Sequence, residues 1–565
     1  MKKFSFIICF LLAGIIYAQD QQPGTWRDDL DYIIQRIEIM HPDPYAFFPR
    51  EEFYELKERL WNEIPDLSDA DIVLSTSELL ATLQDGHTRW AFERSDPQWL
   101  DQAFHLLPII QYQFKDGIYV MAGLQQYREL VGLKVIKIGK MPIAEVTSKL
   151  GKLWSHDNAY GERKFLYYTL SIAEMLKKAG AIEDVSKINI VLQNARGEEV
   201  KAQIDTVSFL SMAGFIAGTW YPQSGNGLAA MNEKAENPLP LWLKNKDKSF
   251  WFEYIPGEKM MFLQVNLLNF PHGNTDEEGS FSQLCERFFE AFDQSTAEKL
   301  VIDIRRNTGG NHVELPLLKG ILARPDIDKP DKLFLITSRV AFSAAVHLTT
   351  ILKRYTNITI IGEPASGRPN HFGAGRGFRL PNHPQIEISC SIDYYQDSEP
   401  FDFNIVNAPD IWTEMTAAEY QGNIDPAMQA VKDYDKIINL VKASAQELEH
   451  AYTDYGIPDM KEAYYSKKQA LLKSGYNPEK FFTELYYRLL SDNHKSTAGL
   501  SDYLAFSVSE CPESIDLCYS LALQLESEGR FDEAKTMYNR CLELNPAHHY
   551  AKMKLDLLGL KEKNQ

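Results

Sequence analysis

Two short stretches, far apart in the chain, carry residues able to do covalent chemistry. One is Asp85-Gly86-His87-Thr88; the other is Phe342-Ser343-Ala344-Ala345. A free imidazole titrates near ~6.5, so histidine is the usual general base at neutral pH. A serine hydroxyl becomes a nucleophile when such a base stands beside it. Ser343 follows the apolar run Phe334-Leu335-Ile336-Thr337 and opens the amphipathic stretch Ala344 to Tyr355, which lacks proline and glycine. A serine in that place ordinarily caps the helix. It can equally stand at the positive end of the helix dipole, with the Ala344 N–H facing a developing oxyanion. Ala341, Ala344 and Ala345 are small enough to leave room for a substrate carbonyl. A third stretch, Asp303-Ile304-Arg305-Arg306-Asn307-Thr308-Gly309-Gly310, ends a predicted strand in a Gly-Gly turn. Glycines let backbone approach a ligand closely and aim bare N–H groups at it, which makes Gly309 and Gly310 candidates for a second oxyanion donor.

The elements that must position these residues are readable from periodicity. Leu30, Ile33, Ile34 and Ile37 repeat at the spacing of one buried helical face, and His41-Pro42-Asp43-Pro44 stops that helix. Ser68 and Asp71 form a capping pair for a helix through Leu79, Leu80 and Leu83, with Gly86 as its C-terminal breaker and His87 just beyond. Within 105–206, β-like runs at Leu133 to Ile138 and Ile188 to Leu192 flank a helical middle from about Phe165 to Lys178. From 250 to 430, strands and helices alternate, as in an α/β layered core. Its runs rich in Val and Ile predict strands buried on both faces. Pro512 and Pro546 are 34 positions apart, the period of a tetratricopeptide repeat. Leu521, Gly529, Phe531, Ala534 and Tyr538 fall where that repeat wants them. Residues 549–560 would cap the stack, because one repeat cannot bury its own face.

Composition narrows the function classes. The chain has 565 residues, enough for several domains, and a formal net charge of −19. Such an acidic protein is a poor nucleic-acid binder, since phosphate contacts need Lys and Arg. Lys2 and Lys3 precede an apolar run from Phe6 to Ile16, and Tyr17-Ala18 completes the pattern of a secretory signal peptide over 1–18. That run is too short to span a membrane. The expectation is an exported protein, periplasmic or secreted, with no stable membrane span. Five cysteines remain beyond Cys9; they are scattered, imply no disulfide framework, and no pair has metal-ligand spacing. His548-His549 is expected to be a solvated pair. No cofactor is implied.

Taken together, Leu83 to Thr88, Val301 to Gly310, Ser343-Ala344-Ala345, Ile361-Gly362-Glu363-Pro364-Ala365-Ser366-Gly367, Ala408-Pro409-Asp410-Ile411 and Asn423-Ile424-Asp425-Pro426 resemble, in order and approximate spacing, the C-terminal (tail-specific) processing peptidase superfamily. The resemblance covers about 26–430. It implies a crotonase-like α/β core, an N-terminal helical domain, a PDZ-like α+β insert and serine peptidase activity. Leu130 to Gly139 itself resembles the PDZ segment where a strand leads into a tight turn, although no Gly-Leu-Gly-Phe-type loop accompanies it. One catalytic style in this superfamily uses a lysine directly after the last glycine of the Gly-Glu element. Here that position is Arg368, and arginine cannot act as a base. The tricorn-core style uses a histidine from a Gly-His element, which His87 matches, and an acid upstream of the Pro-Asp pair. The nearest acid there is Asp402, with Glu399 behind it.

The resulting expectation divides the chain into a signal peptide (1–18), an N-terminal helical domain (19–104), a PDZ-like domain (105–206), a serine peptidase core (207–432), a linker (433–475) and C-terminal α-helical repeats (476–565). Ser343 attacks, His87 relays the proton, Asp402 or Glu399 orients the imidazole, and Ala344 with Gly309 or Gly310 holds the oxyanion. The substrate is a protein or peptide, and the repeats would bind a protein partner. Two rivals are an inactive peptide-binding scaffold on the same fold and a hydrolase of another ester or amide.

Overall fold

The computed structural model describes residues 25–216, 220–225, 227–268, 280–491 and 499–563. The signal-peptide segment 1–18 lies outside the described residues.

A six-stranded sheet carries the loop that holds Ser343. Its order is Phe250–Ile255, Met260–Val265, Lys299–Asp303, Leu333–Thr337, Thr359–Gly362 and Ile411–Trp412. The first pair is antiparallel and every later pairing is parallel. Parallel neighbours need long crossovers. Helices Phe281–Gln294, Leu315–Leu322 and Ala344–Tyr355 supply three of them. The strands are buried on both faces, as their continuous apolar runs predict. Leu300, Ile302, Leu333 and Leu335 pack with Phe288, Ile321 and Leu348 of the crossover helices. Val301, Phe334 and Ile336 point the other way, as the period of two requires.

That second face is covered from the C-terminal part of the chain. Residues 433–475 were expected to be a linker; they form helices Tyr434–Tyr455 and Ile457–Ser474 instead. Tyr434, Ile437, Val441, Ala445, Leu448 and Met460 join the same core as Phe262, Val301 and Phe334. Just beyond, the edge strand is tied down: Trp412 N–H donates to Gly475 O (2.7 Å) and Asn477 N–H to Asp410 O (2.9 Å). Helices Ile515–Ser527 and Phe531–Leu544 then pair around Gly529, with Ala534 and Tyr538 fully buried. His548 departs from the solvated expectation. It is buried and stacks on Phe403 at 4.1 Å.

The N-terminal half packs as one body. Helix Trp26–Met40 buries Leu30, Ile33, Ile34 and Ile37 as its spacing predicts. These residues share a continuous core with the seven-stranded sheet built on Gly117–Leu124, Lys134–Ile138, Lys187–Gln193 and Glu199–Asp205. The helical middle of that region is two helices, Ala159–Thr169 and Ala173–Lys178. Among the described residues, no helix is long and apolar enough to cross a membrane.

Because the C-terminal helices are the cover of one sheet face, they should not be separable from it. Deleting 434–565 is expected to abolish the cooperative thermal transition of the sheet or to make the protein insoluble. A truncated protein that melts cooperatively, followed by calorimetry, would show the helices to be an accessory.

Candidate active site

Ser343 sits at the junction between strand Leu333–Thr337 and helix Ala344–Tyr355, with φ 54° and ψ −124°. A non-glycine residue rarely holds positive φ, and the strain costs about 1–3 kcal/mol. The hydroxyl makes no capping hydrogen bond, so the ordinary role of a serine in this place is not the one it plays. The neighbouring loops hold the conformation. Phe342 N–H donates to Asn307 O (3.2 Å), and both the N–H (2.9 Å) and the hydroxyl (3.0 Å) of Ser366 donate to Ala341 O. Ser338 Oγ donates to Arg305 O at 2.7 Å. Arg305 is itself clamped between Asp303 and Asp425; Arg305 and Asp303 are buried and Asp425 is half-buried.

The Gly-Gly turn meets Ser343 directly. A Cβ on Gly309 would stand 2.7 Å from Ser343 Cβ and 3.3 Å from Ala344 N, and φ is +115° there and +136° at Gly310. Only glycine fits such an approach. The predicted donors separate at this point. The N–H of Ala344, an orphan of the first helical turn, has no hydrogen-bond partner among the described residues, and neither has that of Gly310. The N–H of Gly309 is already committed to Asn307 Oδ1 at 2.8 Å. Gly309 therefore makes the space, while Ala344 and Gly310 retain free donors.

His87 arrives from the N-terminal body. Its ring stacks on Phe342, the residue before the nucleophile, at 4.4 Å and 22°. Gly86 is not the helix breaker its position implies. The helix ends at Ala81, and Gln84 takes the left-handed turn with φ 54°. Gly86 is needed for another reason: a Cβ there would reach 2.9 Å from Phe342 Cζ. The loop is pinned on three sides. Asp85 Oδ1 takes the His87 N–H (2.9 Å), and its Oδ2 meets His41, Thr88 and Ser391. Asp157 Oδ1 takes the Gly86 N–H at 2.6 Å. Arg368, stacked 3.7 Å over Phe47, donates to the Gln84 carbonyl at 2.8 Å. The residue standing where a dyad lysine would is thus a strut for the histidine loop.

Burial dominates the electrostatics. It pushes the His87 imidazole down to about 4, with the Asp85 charge opposing and Arg89, His347 and Lys164 reinforcing. Burial likewise raises Asp157 to about 7 and lowers Lys164, 4.4 Å over the Phe342 ring, to about 7.

The two acids expected behind His87 do not reach it. Asp402 is engaged by Ser398 and by both the backbone and side-chain nitrogens of Asn404. Glu399 pairs with Arg354 at 3.1 Å. What surrounds the site instead is a row of histidines the motifs did not include. His371 lies 6.1 Å from His87, His347 lies 4.6 Å from His371, and His312 lies 3.8 Å from His347, ring centre to ring centre. Asp397 holds His347 Nδ1 and Glu314 holds His312 Nδ1. His347 is four residues after Ser343 and His312 two after Gly310, so their proximity was legible from spacing. His371 comes from the hairpin Asn370–Gly373 with Asp393–Gln396, where it faces Tyr395.

No protein-family model matches the chain, and no curated protein sequence does. Solved structures do. Mature CPAF is 14% identical, at a TM-score of 0.51, over 73% of this chain and 97% of its own. Its complex with lactacystin gives 13% identity and a TM-score of 0.50, over 73% of this chain and 98% of CPAF. The chain has the fold of mature CPAF. The photosystem II D1 C-terminal processing protease also matches, at 13% identity over 69% of this chain and 94% of its own, but at a TM-score of 0.33, too low to add to that assignment.

The Arg305 clamp fixes the Gly-Gly turn relative to the nucleophile loop. Arg305→Met leaves buried Asp303 and half-buried Asp425 without their cation and is expected to cost about 3–5 kcal/mol in urea unfolding. A loss below about 1 kcal/mol would show that the turn is held by its backbone hydrogen bonds alone.

Proposed function

We propose that this chain is a serine peptidase of the C-terminal processing and tricorn-core type, acting on protein or peptide substrates. One observation carries the reading. A strained, uncapped serine begins a helix whose first N–H is free, against a turn that only glycine can form, with an imidazole stacked on the preceding residue. In this reading Ser343 Oγ attacks the scissile carbonyl as its proton passes to His87 Nε2. The N–H groups of Ala344 and Gly310 receive the oxyanion. His87 then returns the proton to the leaving amine, and water repeats the sequence on the acyl-enzyme.

In this reading the parallel sheet is a crotonase-like core, the sheet of the N-terminal body is a PDZ-like insert, and the helix pair around Gly529 is a repeat of the tetratricopeptide type. The repeats are proposed to meet a protein partner, and the leader to export the chain. No cofactor takes part in the proposed steps.

Two measurements test this. A fluorophosphonate probe should label the wild-type protein at Ser343 and fail to label Ser343→Ala. A labelled wild type that cleaves no member of a peptide library would point to another ester or amide, and an unlabelled one to a binding scaffold. Ser343→Ala and His87→Ala should each remove nearly all cleavage, and the double variant should be little worse than either, because the pair acts as one unit.

The acid limb of the rate is a separate prediction. His87 must be neutral to accept a proton, and burial holds its pKa near about 4 rather than ~6.5. The rate on a short peptide should therefore stay level from neutral pH to about 5 and fall through about 4. A limb centred at 6–7 would mean that the imidazole is solvated in the working enzyme.

A further inference from the structure

The acids expected behind His87 point elsewhere, and its Nδ1 is buried without a hydrogen-bond partner. An imidazolium formed here must find its counter-charge in some group other than a hydrogen-bonded carboxylate. Two carboxylates belong to the histidine loop. Asp157 accepts the Gly86 N–H, but burial pushes it up to about 7, so it is no permanent anion. Asp85 is the other.

Asp85 is 2% exposed and lies two residues before the histidine. Four donors from three parts of the chain converge on it. Its Oδ1 accepts the His87 N–H at 2.9 Å. Its Oδ2 accepts from Thr88 Oγ1 at 2.5 Å, Ser391 Oγ at 2.6 Å and His41 Nε2 at 3.1 Å. The Asp43 N–H donates to His41 Nδ1, so the hydrogen of the neutral His41 ring sits on Nε2 and points at Asp85. Thr88 Oγ1 accepts the Ser391 N–H at 3.0 Å, which leaves its own hydrogen for the carboxylate. Burial pushes this carboxyl up, but the His41 bond, the neighbouring imidazoles and the Ser391 bond outweigh it and hold it well below the usual range.

We infer that Asp85 is the positioning residue of the base and also its counter-charge: it sets the loop through the His87 N–H and steadies the imidazolium through space, with no hydrogen bond to the ring. This rests on the reading of His87 as general base. The 2.9 Å bond to the His87 nitrogen places the carboxylate no more than about 7 Å from the near edge of the imidazole. In a buried site a charge is felt over that range. Of the groups acting most strongly on His87, Arg89, His347 and Lys164 oppose an imidazolium and Asp85 alone favours it. Arg89 is itself paired with Glu93 at 2.5 Å. His371, 6.1 Å away ring to ring, is kept uncharged by burial. The groups facing Asp85 are His41, His87, Arg89, Asp157, Arg368 and Cys390.

Charge and scaffolding predict opposite signs. An anion favours the charged form of a neighbouring imidazole, so removing it weakens proton binding at His87 still further. Loosening the loop does the reverse: water relieves the burial, and proton binding strengthens toward the ordinary ~6.5.

The first test uses no activity. In Ser343→Ala protein, an NMR titration should find His87 taking up its proton near pH 4, as burial dictates. Adding Asp85→Asn should weaken that uptake at least about tenfold. Ser391→Ala thins the shell but keeps the charge, and should leave the uptake unchanged or stronger. Asp85→Asn with His87 unchanged or strengthened overturns the inference, and so does an equal weakening in Ser391→Ala. Where Asp85→Asn fails to melt cooperatively, the ¹³C signal of the Asp85 carboxyl in Ser343→Ala protein decides. It should still report a carboxylate at the pH where His87 gains its proton; protonation at or above that pH overturns the inference. In the active protein, Asp85→Asn should lower kcat about 10- to 100-fold and move the acid limb to lower pH, with KM within about twofold. A folded variant with wild-type kcat overturns the role in catalysis. A wild type that neither labels nor cleaves would instead overturn the peptidase reading, leaving the titrations to decide on Asp85.

Discussion

The rest of the site depends on the backbone of Ser343. Its positive φ is unfavourable for any residue with a Cβ and survives only because the surroundings leave no alternative. Asn307 O, Ala341 O and Ser366 fasten the loop on either side of it, and the helix begins at once afterwards. In the extended conformation usual for a cap the hydroxyl would turn back on the first turn; here the Ala345 and Val346 N–H groups donate instead to the carbonyls of Phe342 and Ser343. The strain thus keeps the hydroxyl available and the Ala344 N–H unspent. It also explains why Gly309 must be a glycine: the bent loop brings Ser343 Cβ to where a side chain would stand.

Around that loop burial lowers His87 and Lys164 and raises Asp157, driving all three toward their neutral forms, while Asp85, despite its burial, is held low by its hydrogen bond to His41. Phe342 is the common neighbour, stacked on His87 and lying under Lys164. Such surroundings screen poorly, so fixed N–H dipoles act on a developing oxyanion at greater strength than in water. A base in this setting is weak, and it needs correct placement more than added basicity.

What the sequence disclosed follows from range. Ser343, His87 and the Gly-Gly turn were legible because each is a local pattern beside a predicted element. The acid was misread because which side chain reaches an imidazole is set by hairpin register, not by distance along the chain. Asp402 turned to Ser398 and Asn404 within its own loop. His371 was invisible as a lone histidine in a short strand, and only its pairing opposite Tyr395 sets its direction. Gly86 was read as a helix end because breakers and close contacts look alike in one dimension. The segment 433–475 was passed over for its charge, although Tyr434, Ile437, Val441, Ala445 and Leu448 repeat at helical spacing.

Topology explains why the site needs two bodies. The Gly-Gly turn follows strand Lys299–Asp303, the nucleophile loop follows Leu333–Thr337, and the Ser366 loop follows Thr359–Gly362. Loops leaving the carboxyl ends of neighbouring parallel strands converge, which is where such sheets gather their functional groups. A sheet can supply a nucleophile and oxyanion donors this way, but a base must come from the side. Here it comes on a loop of the N-terminal body, joined to the later chain where Arg89–Trp90 pairs with Ile388–Ser389 and where Arg368 grips Gln84. The distance between His87 and Ser343 is therefore a property of how these two parts of the chain dock. Val340, Leu380, Ile388, Ala417 and Tyr420 of the later chain lie in the same core as the N-terminal helices, so the docking is held by shared apolar burial, and contacts such as Arg368 to Gln84 set the placement of the His87 loop within it.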